Sequence, residues 1–325
     1  MAPDVTVSIV NAGRRDALLS LLASLEPETQ GALQVETVVL DNASADGSPA
    51  AVRQRFPWAR VVEQPFRAGF GANHNRVIRE TSGRAILLLS HDAELEPGTL
   101  GRLASFLDAH PRAAAVAPRL RYPDGSAQPN AWRFPTPATA ALGALTLGRA
   151  GVVQSHGEAP RRVGWAMGAA LLLRRAALEE VGLFDEGYFM YSEETDLCLR
   201  LASAGWETWI LPSAVVVHHD SALRDEVPRE RIVEEWRSRH RYWRAHHSPL
   251  AARVAATITG AQYAARGAVA AAARRVRPHA FDPSFAARMR LHARFAWRGP
   301  EGPGLRERAE DWNDRHAGER QSQSP

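Results

Sequence analysis

Lysine is absent: all 40 lysine-or-arginine positions in the 325-residue chain are arginine. Chemistry that needs an ammonium group is thereby excluded, including Schiff-base catalysis and the ATPase P-loop, whose lysine reaches the phosphates. Cysteine is nearly absent too. Cys198 stands alone, so no internal disulfide can form, which fits a reducing compartment. No uninterrupted apolar run approaches the roughly 20 residues of a membrane span. The N-terminus lacks the basic-then-apolar pattern of an export signal. These absences lead us to expect a cytoplasmic protein, soluble or peripheral at the inner face of a membrane.

What is present is an ordinary globular composition, 45% apolar and 23% charged, long enough for one α/β domain with appendages. The net charge of +4 is unevenly placed: Arg266, Arg274, Arg275, Arg277, Arg288, Arg290, Arg294 and Arg298 crowd the last quarter. Such crowding suits an anionic surface and equally a solvated helical face. No nucleic-acid partner is expected.

Strand and helix patterns alternate over the first 120 residues. Val5 to Val10, Val35 to Leu40, Val61–Val62, Ala85 to Leu89 and Ala114 to Leu120 read as strands. Asp16 to Leu25, a stretch after Asp46-Gly47-Ser48, Ala72 to Glu80 and Gly98 to Ala109 read as helices. This order predicts a mostly parallel sheet with helices on both faces. Asp124-Gly125 marks a turn, and Gly143 to Glu158 is weakly patterned. A strand-like pattern resumes over Gly164 to Leu173; Glu193 to Ala204 reads as an amphipathic helix with Ser192 as its N-cap, and Glu207 to Leu211 and Ala214 to Val217 as extended. Helical spacing returns after Pro228 and through Ala251 to Arg277. The boundaries expected are an α/β domain over 1–225, a helical extension over 226–298 and a disordered tail over 299–325.

Polar groups follow the buried strands: Asn11 after the first, Asp41 after the second, Asp92 after the fourth, and His218-His219 after Val215-Val216-Val217. Strand-end residues on one sheet edge converge in space, and ligands of open α/β sheets bind there. Asp92 in that place suits a divalent cation held against a diphosphate, or the cap of the following helix. Glu193-Glu194-Thr195-Asp196 opens a helix, where the dipole favours acids. A general base in the crevice is the functional alternative. The two glutamates point about 100° apart, so one of them is expected to face a ligand.

Several segments together resemble a family 2 glycosyltransferase of the GT-A fold, in its rhamnosyltransferase-like branch. They are Val7-Ser8-Ile9-Val10-Asn11, Val39-Leu40-Asp41-Asn42-Ala43-Ser44, Gly69-Phe70-Gly71-Ala72-Asn73-His74-Asn75-Arg76, Leu87-Leu88-Leu89-Ser90-His91-Asp92, Pro123-Asp124-Gly125-Ser126, Gly182-Leu183-Phe184-Asp185-Glu186, Glu193-Glu194-Thr195-Asp196 and Val216-Val217-His218-His219. The resemblance implies a Rossmann-like GT-A α/β domain, a mostly parallel central sheet flanked by helices, with a C-terminal helical extension. It further implies an inverting transferase that moves a sugar from a nucleoside-diphosphate sugar, dTDP-rhamnose in that branch, to a glycan or lipid-linked hydroxyl. Val10, Asn11, Asp41 and Ala43 would line the nucleoside. Asn73, Asn75 and His91 would help hold the nucleotide-sugar. Asp92 and His218 would ligate Mg²⁺ or Mn²⁺. Glu194, with Glu193 beside it, would be the base.

The chain departs from the family pattern in three places. The first strand ends Asn11-Ala12-Gly13, without the usual aromatic. The metal motif Ser90-His91-Asp92 keeps a single acid, and the catalytic motif reads Glu-Glu where Glu-Asp is usual. A silent nucleotide-sugar-binding scaffold of the same fold is the alternative those departures raise. Trp165 and Met167 are expected either to meet an acceptor sugar or to pack in the core. The Ala251–Arg277 helix is expected either to pack or to make a peripheral membrane contact.

Overall fold

The computed structural model of the chain describes residues 2–146, 152–219, 227–277, 282 and 284–321. Its first part alternates as the periodicity predicts: β1 (Val5–Asn11), α1 (Arg15–Thr29), β2 (Val35–Asn42), α2 (Ser48–Arg55), β3 (Ala59–Gln64), α3 (Phe70–Arg79) and β4 (Ala85–Ser90). Then come β5 (Ala93–Leu95), α4 (Thr99–Ala109), β6 (Ala113–Arg121), β7 (Ala127–Gln128), β8 (Ala131–Trp132) and α5 (Pro137–Leu145). The middle continues with β9 (Arg161–Val163), β10 (Trp165–Ala166), β11 (Ala170–Arg174), α6 (Arg175–Val181), α7 (Glu193–Ser203) and β12 (Glu207–His218). Four helices close the chain: α8 (Arg229–His246), α9 (Pro249–Val276), α10 (Phe285–Arg298) and α11 (Leu305–Gln321).

The main sheet runs β3-β2-β1-β4-β11-β6-β12-β5, with β7 joined to β6 and β9 to β12. β3, β2, β1 and β4 are mutually parallel, as are β6 and β12. β11 lies antiparallel between β4 and β6. The expected mostly parallel sheet is therefore present. Its order reverses at β1: the chain builds β2 and β3 on one side, then returns to lay β4 on the other. Such a reversal opens a crevice beyond the strand ends.

β4 shows why that sheet holds. Leu87 and Leu89 pack into a core with Leu18, Leu22 and Leu103 from α1 and α4. Ile86 and Leu88 pack on the opposite face with Leu197 and Leu201 from α7. Alternate side chains of one short strand thus anchor both helical layers.

One strand expectation is corrected. The stretch 164–173 is not one strand. Trp165–Ala166 pairs with β8 in a separate ribbon, and β11 enters the main sheet. The break falls at Gly168, where an added Cβ would lie 2.7 Å from the Phe70 ring. Glu207–Leu211 and Ala214–Val217 are both extended, as expected, and join in one strand with an irregularity between Leu211 and Val215. Pro212, which has no N–H to give the ladder, sits there.

The C-terminal helices brace α7 and the loop before it. Arg241 pairs with Asp185 at 2.8 Å, Ser238 Oγ donates to the Met190 carbonyl, and His246 Nε2 meets Asp196 at 2.6 Å. Trp236, Tyr242 and Trp243 of α8 pack with Phe295 of α10 and Tyr188 of that loop. The expected disorder from Gly299 is corrected as well, because Leu305–Gln321 is helical. Few apolar residues mark it in sequence. It is held instead by Asn313, which exchanges hydrogen bonds with the Arg67 backbone, by Arg67 over the Trp312 ring, and by Arg237–Glu307 at 2.5 Å. Residues 322–325 of that tail, and 147–151 of the weakly patterned stretch, lie outside the described residues. Among the described residues no helix is long and apolar enough to cross a membrane.

Candidate active site

A cavity of about 690 Å³ opens at the reversal of strand order. One wall comes from the sheet and its loops: Val10, Asn73, His91, Asp92 and His218. Trp165, Met167 and Gly168 border it, Glu193 and Glu194 project into it from the start of α7, and α8 and α10 supply the opposite wall.

Asp92 and His218 meet because β12 pairs antiparallel with β5, setting His218 beside Ala93. His218 Nε2 lies 3.3 Å from Asp92 Oδ1, and its Nδ1 is 3.1 Å from Gln128 Oε1. Burial pushes the Asp92 carboxyl up, but hydrogen bonds from His218 and Ser90 outweigh it and hold the group well below the usual carboxylate range. The charged form therefore prevails at neutral pH. Desolvation lowers the pKa of the neighbouring His91 imidazole, which bonds to the Val10 backbone.

A carboxylate and an imidazole aimed at one point are donors that a divalent cation accepts. They make a partial shell. Among the described residues no group of three or more His, Cys, Asp or Glu side chains could hold a metal. The pair fits a cation of the kind that keeps waters and takes its remaining ligands from substrate phosphates.

The glutamates differ from expectation in that both line the cavity. Glu193 is 3% exposed. Its pKa is raised well above the usual value by burial and by the adjacent Glu194. Burial pushes Glu194 up to about 7, against a bond from the Gly168 backbone. One oxygen on each, Oε2, is buried and has no hydrogen-bond partner among the described residues. A carboxylate so placed has a proton affinity suited to general-base work near neutrality. Asp196 is turned away, occupied by Arg200 and His246.

The backbone ahead of α7 explains this aim. Ser192 makes no side-chain cap, contrary to the sequence reading. Tyr191 and Ser192 instead both adopt left-handed backbone, φ 71° and 65°. That conformation is costly for non-glycine residues and is found where structure around it over-determines the chain. The donor-side loop is pressed against this segment at Gly69, where a Cβ would lie 2.4 Å from the Phe189 carbonyl oxygen.

Val10, Asn73, His91, Asp92, His218, Trp165, Met167, Glu193 and Glu194 thus share the cavity. Asn11, Asp41, Ala43 and Asn75 do not line it. Asp41 is 3% exposed, and its oxygens accept from Ser44 and from Asn11 Nδ2. Ala43 is in left-handed backbone, φ 55°. Asn75 is spent on the fold: its amide donates to the Phe184 carbonyl and Glu186, and its oxygen accepts from the Phe184 N–H. Asn73 lines the cavity while bonding Gln64 and the Ala68 carbonyl, so it also shapes the loop.

Sequence reasoning missed Asn42, which fixes that loop through both Ala68 backbone groups. It also missed His74, bonded to Ser8 Oγ at 2.7 Å. It missed the helical wall as well: Arg231, Glu235, Arg239 and Tyr242 from α8, and Arg288 and His292 from α10. The i, i+4, i+8 spacing of Arg231, Glu235 and Arg239 was the available signal, and it is also the spacing of a solvated stripe.

Comparison with known proteins bears on this site. Residues 5–182 match the family model described as Glycosyl transferase family 2. The N-acetylglucosaminyl-diphospho-decaprenol L-rhamnosyltransferase of Mycobacterium tuberculosis (strain H37Rv) is 34% identical over 247 residues, covering 70% of this chain and 80% of that protein. Among solved structures, the mannosyltransferase PcManGT from Pyrobaculum calidifontis, in complex with GDP-Man and Mn²⁺, superposes with a TM-score of 0.56 at 20% identity. The match covers 98% of this chain and 85% of that one. GalNAc-T7 with UDP, GalNAc and Mn²⁺ gives 0.52 at 17% identity, over 67% of this chain and 44% of that one. At those identities the structural likeness speaks to the fold.

Proposed function

The chain belongs to glycosyl transferase family 2 and is a glycosyltransferase acting from a nucleotide sugar; from that premise we propose that it transfers the sugar with inversion, with Glu194 as the base. The observation that carries this reading is the unpartnered, buried Glu194 Oε2 in the same cavity as Asp92 and His218. In the proposed step the Glu194 carboxylate takes the proton of an acceptor hydroxyl. That oxygen forms a bond to the anomeric carbon from the face opposite the diphosphate. The bond from that carbon to the diphosphate oxygen breaks, and its electron pair leaves with the nucleotide.

On the donor side, Val10 and the loop shaped by Asn42 and Asn73 would bound the nucleotide sugar. Asp92 and His218 would hold a divalent cation, Mg²⁺ or Mn²⁺, which when bound offsets charge on the departing diphosphate. Trp165 stacks on Trp132 with centroids 4.6 Å apart, which fixes its ring at the rim as a platform for an acceptor sugar. Likeness to a rhamnosyltransferase supports dTDP-rhamnose as the donor and a lipid-linked glycan as the acceptor. It also supports work at the inner face of a membrane.

A panel of dTDP-, UDP- and GDP-sugars, assayed with and without Mn²⁺, tests this. Transfer from dTDP-rhamnose, stimulated by the cation, is the expected result. Transfer undiminished in Glu194→Gln would overturn the assignment of the base. Preference for a UDP- or GDP-sugar would overturn the donor.

A further inference from the structure

The helical wall carries a charge pattern that the sugar-transfer step does not use. Arg231, Glu235 and Arg239 fall on one face of α8, and Arg288 and His292 on one face of α10. All five line the cavity. Among the described residues of this wall, three guanidinium groups stand against one carboxylate, Glu235, which is paired with Arg239 at 3.0 Å. Arg288 bonds weakly to Ser284 Oγ at 3.4 Å and makes no ion pair among the described residues.

His292 adds an independent sign. It is 7% exposed. Trp236 Nε1 can only donate, so its 3.0 Å bond to His292 Nδ1 makes that nitrogen the acceptor. The ring proton then sits on Nε2, which has no partner among the described residues. Burial lowers the imidazole pKa, with Arg239, Arg288 and Arg266 pressing the same way and Glu235 opposing. The ring is thus a neutral donor aimed into a positively charged recess. A neutral sugar does not call for three arginines, whereas a diphosphate does: guanidinium forks take its oxygens in pairs.

We infer that the α8–α10 wall is the subsite for the diphosphate of a sugar-diphospho-lipid acceptor, held by Arg288, Arg239 and His292 Nε2. The inference rests on the transferase reading above for its substrate, and it names the group that reading leaves unspecified. The donor's own diphosphate is assigned to the sheet wall at Asp92 and His218, so the two phosphate sites lie on different elements of one cavity. Holding the acceptor by its phosphates would bring its sugar hydroxyl to Glu194 without requiring the enzyme to grip the lipid.

Two measurements on the full chain test this. The first is thermal stabilisation by inorganic pyrophosphate in EDTA, where no cation can bridge it to Asp92. Wild type should be stabilised and Arg288→Ala should not, with Arg288→Lys between them. Arg244→Ala is the control. Arg244 lines a separate cleft with Arg241 and Arg298, and the variant should respond as wild type. No shift in wild type, or an equal shift in Arg288→Ala, would overturn the subsite. So would loss of the shift in Arg244→Ala alone, since that places the anion in the other cleft.

The second measurement is transfer kinetics. Arg288→Ala should raise KM for a sugar-diphospho-lipid about ten- to hundredfold, the worth of one charge-assisted bond. It should leave kcat, the affinity for dTDP and the KM for a phosphate-free glycoside of the same sugar unchanged. Weakened dTDP binding would assign the wall to the donor instead. If no acceptor is glycosylated at all, the proposed reaction fails, while the pyrophosphate result still decides whether the anion subsite exists.

Discussion

The two walls of the cavity place polar chemistry by different means. On the sheet side each functional group sits where a strand stops, and its position follows from strand pairing: His218 reaches Asp92 because β12 and β5 are hydrogen-bonded in that register. On the helical side, charged groups ride one face of α8 and of α10. They reach the cavity because buried Trp236, Tyr242 and Phe295 dock those helices. The first wall carries acids and imidazoles suited to a cation and a departing diphosphate. The second carries arginines. A cavity with acids at one side and cations at the other can hold two phosphorylated substrates without confusing them.

That contrast can be attacked where it predicts most. Glu194→Gln should cost about 10²–10⁴ in kcat, the usual worth of a general base, with donor nucleotide binding intact. Glu193→Gln should cost less, and a reversed order in steady-state assays would move the base to Glu193. Asp92→Asn should cost about a hundredfold in transfer, from lost stabilisation of the leaving group. It should abolish the Mn²⁺-dependent part of the thermal shift with dTDP while leaving the pyrophosphate shift in EDTA intact. Loss of both shifts would merge the two walls into one site.

Asn75→Ala should act on the fold alone. Two buried hydrogen bonds to Phe184 and a half-buried one to Glu186 disappear, which should lower stability by about 2–3 kcal/mol in urea melts. The KM for the donor should hold. A rise in donor KM with no stability loss would return Asn75 to the ligand.

The smallest effect is a pH trend. Burial keeps a proton on Glu194 up to about 7, against 4.5 ordinarily. Between those values the folded chain binds more protons than the unfolded chain, so this group's contribution to stability falls as pH rises. Glu194→Gln removes that fall. Its melting temperature should therefore gain on wild type by a few degrees between pH 5 and pH 8. A difference that does not change with pH would mean the carboxylate is better solvated than its setting implies.

Much of the sheet side could be read from the chain alone. Apolar runs ended by Asp92 and His218 announce strands whose ends converge, and the helix opened by Glu193-Glu194 stands where expected. Asp41 and Asn75 show the limit of such reading. Pattern places a polar residue at a strand end or on a helix, but the neighbour that claims its hydrogen bonds, Ser44 for one and Phe184 for the other, is fixed only by tertiary approach. The helical side was less legible still. Arg231 and Arg239 border the apolar stripe of Ile232, Trp236 and Trp243, and local spacing is the same whether such a border faces water or a substrate. The tail from Gly299 failed for a related reason. α11 is held by a few specific bonds, which composition does not register.

The left-handed pair Tyr191–Ser192 has a consequence for anyone who tries to toughen this enzyme. Glycine at either place would relieve backbone strain of order 1 kcal/mol or more, so a selection for heat tolerance has a ready reward there. The same exchange would slacken the hinge that points both glutamates inward. Durable variants from such a screen should then be slower catalysts, trading turnover for shelf life.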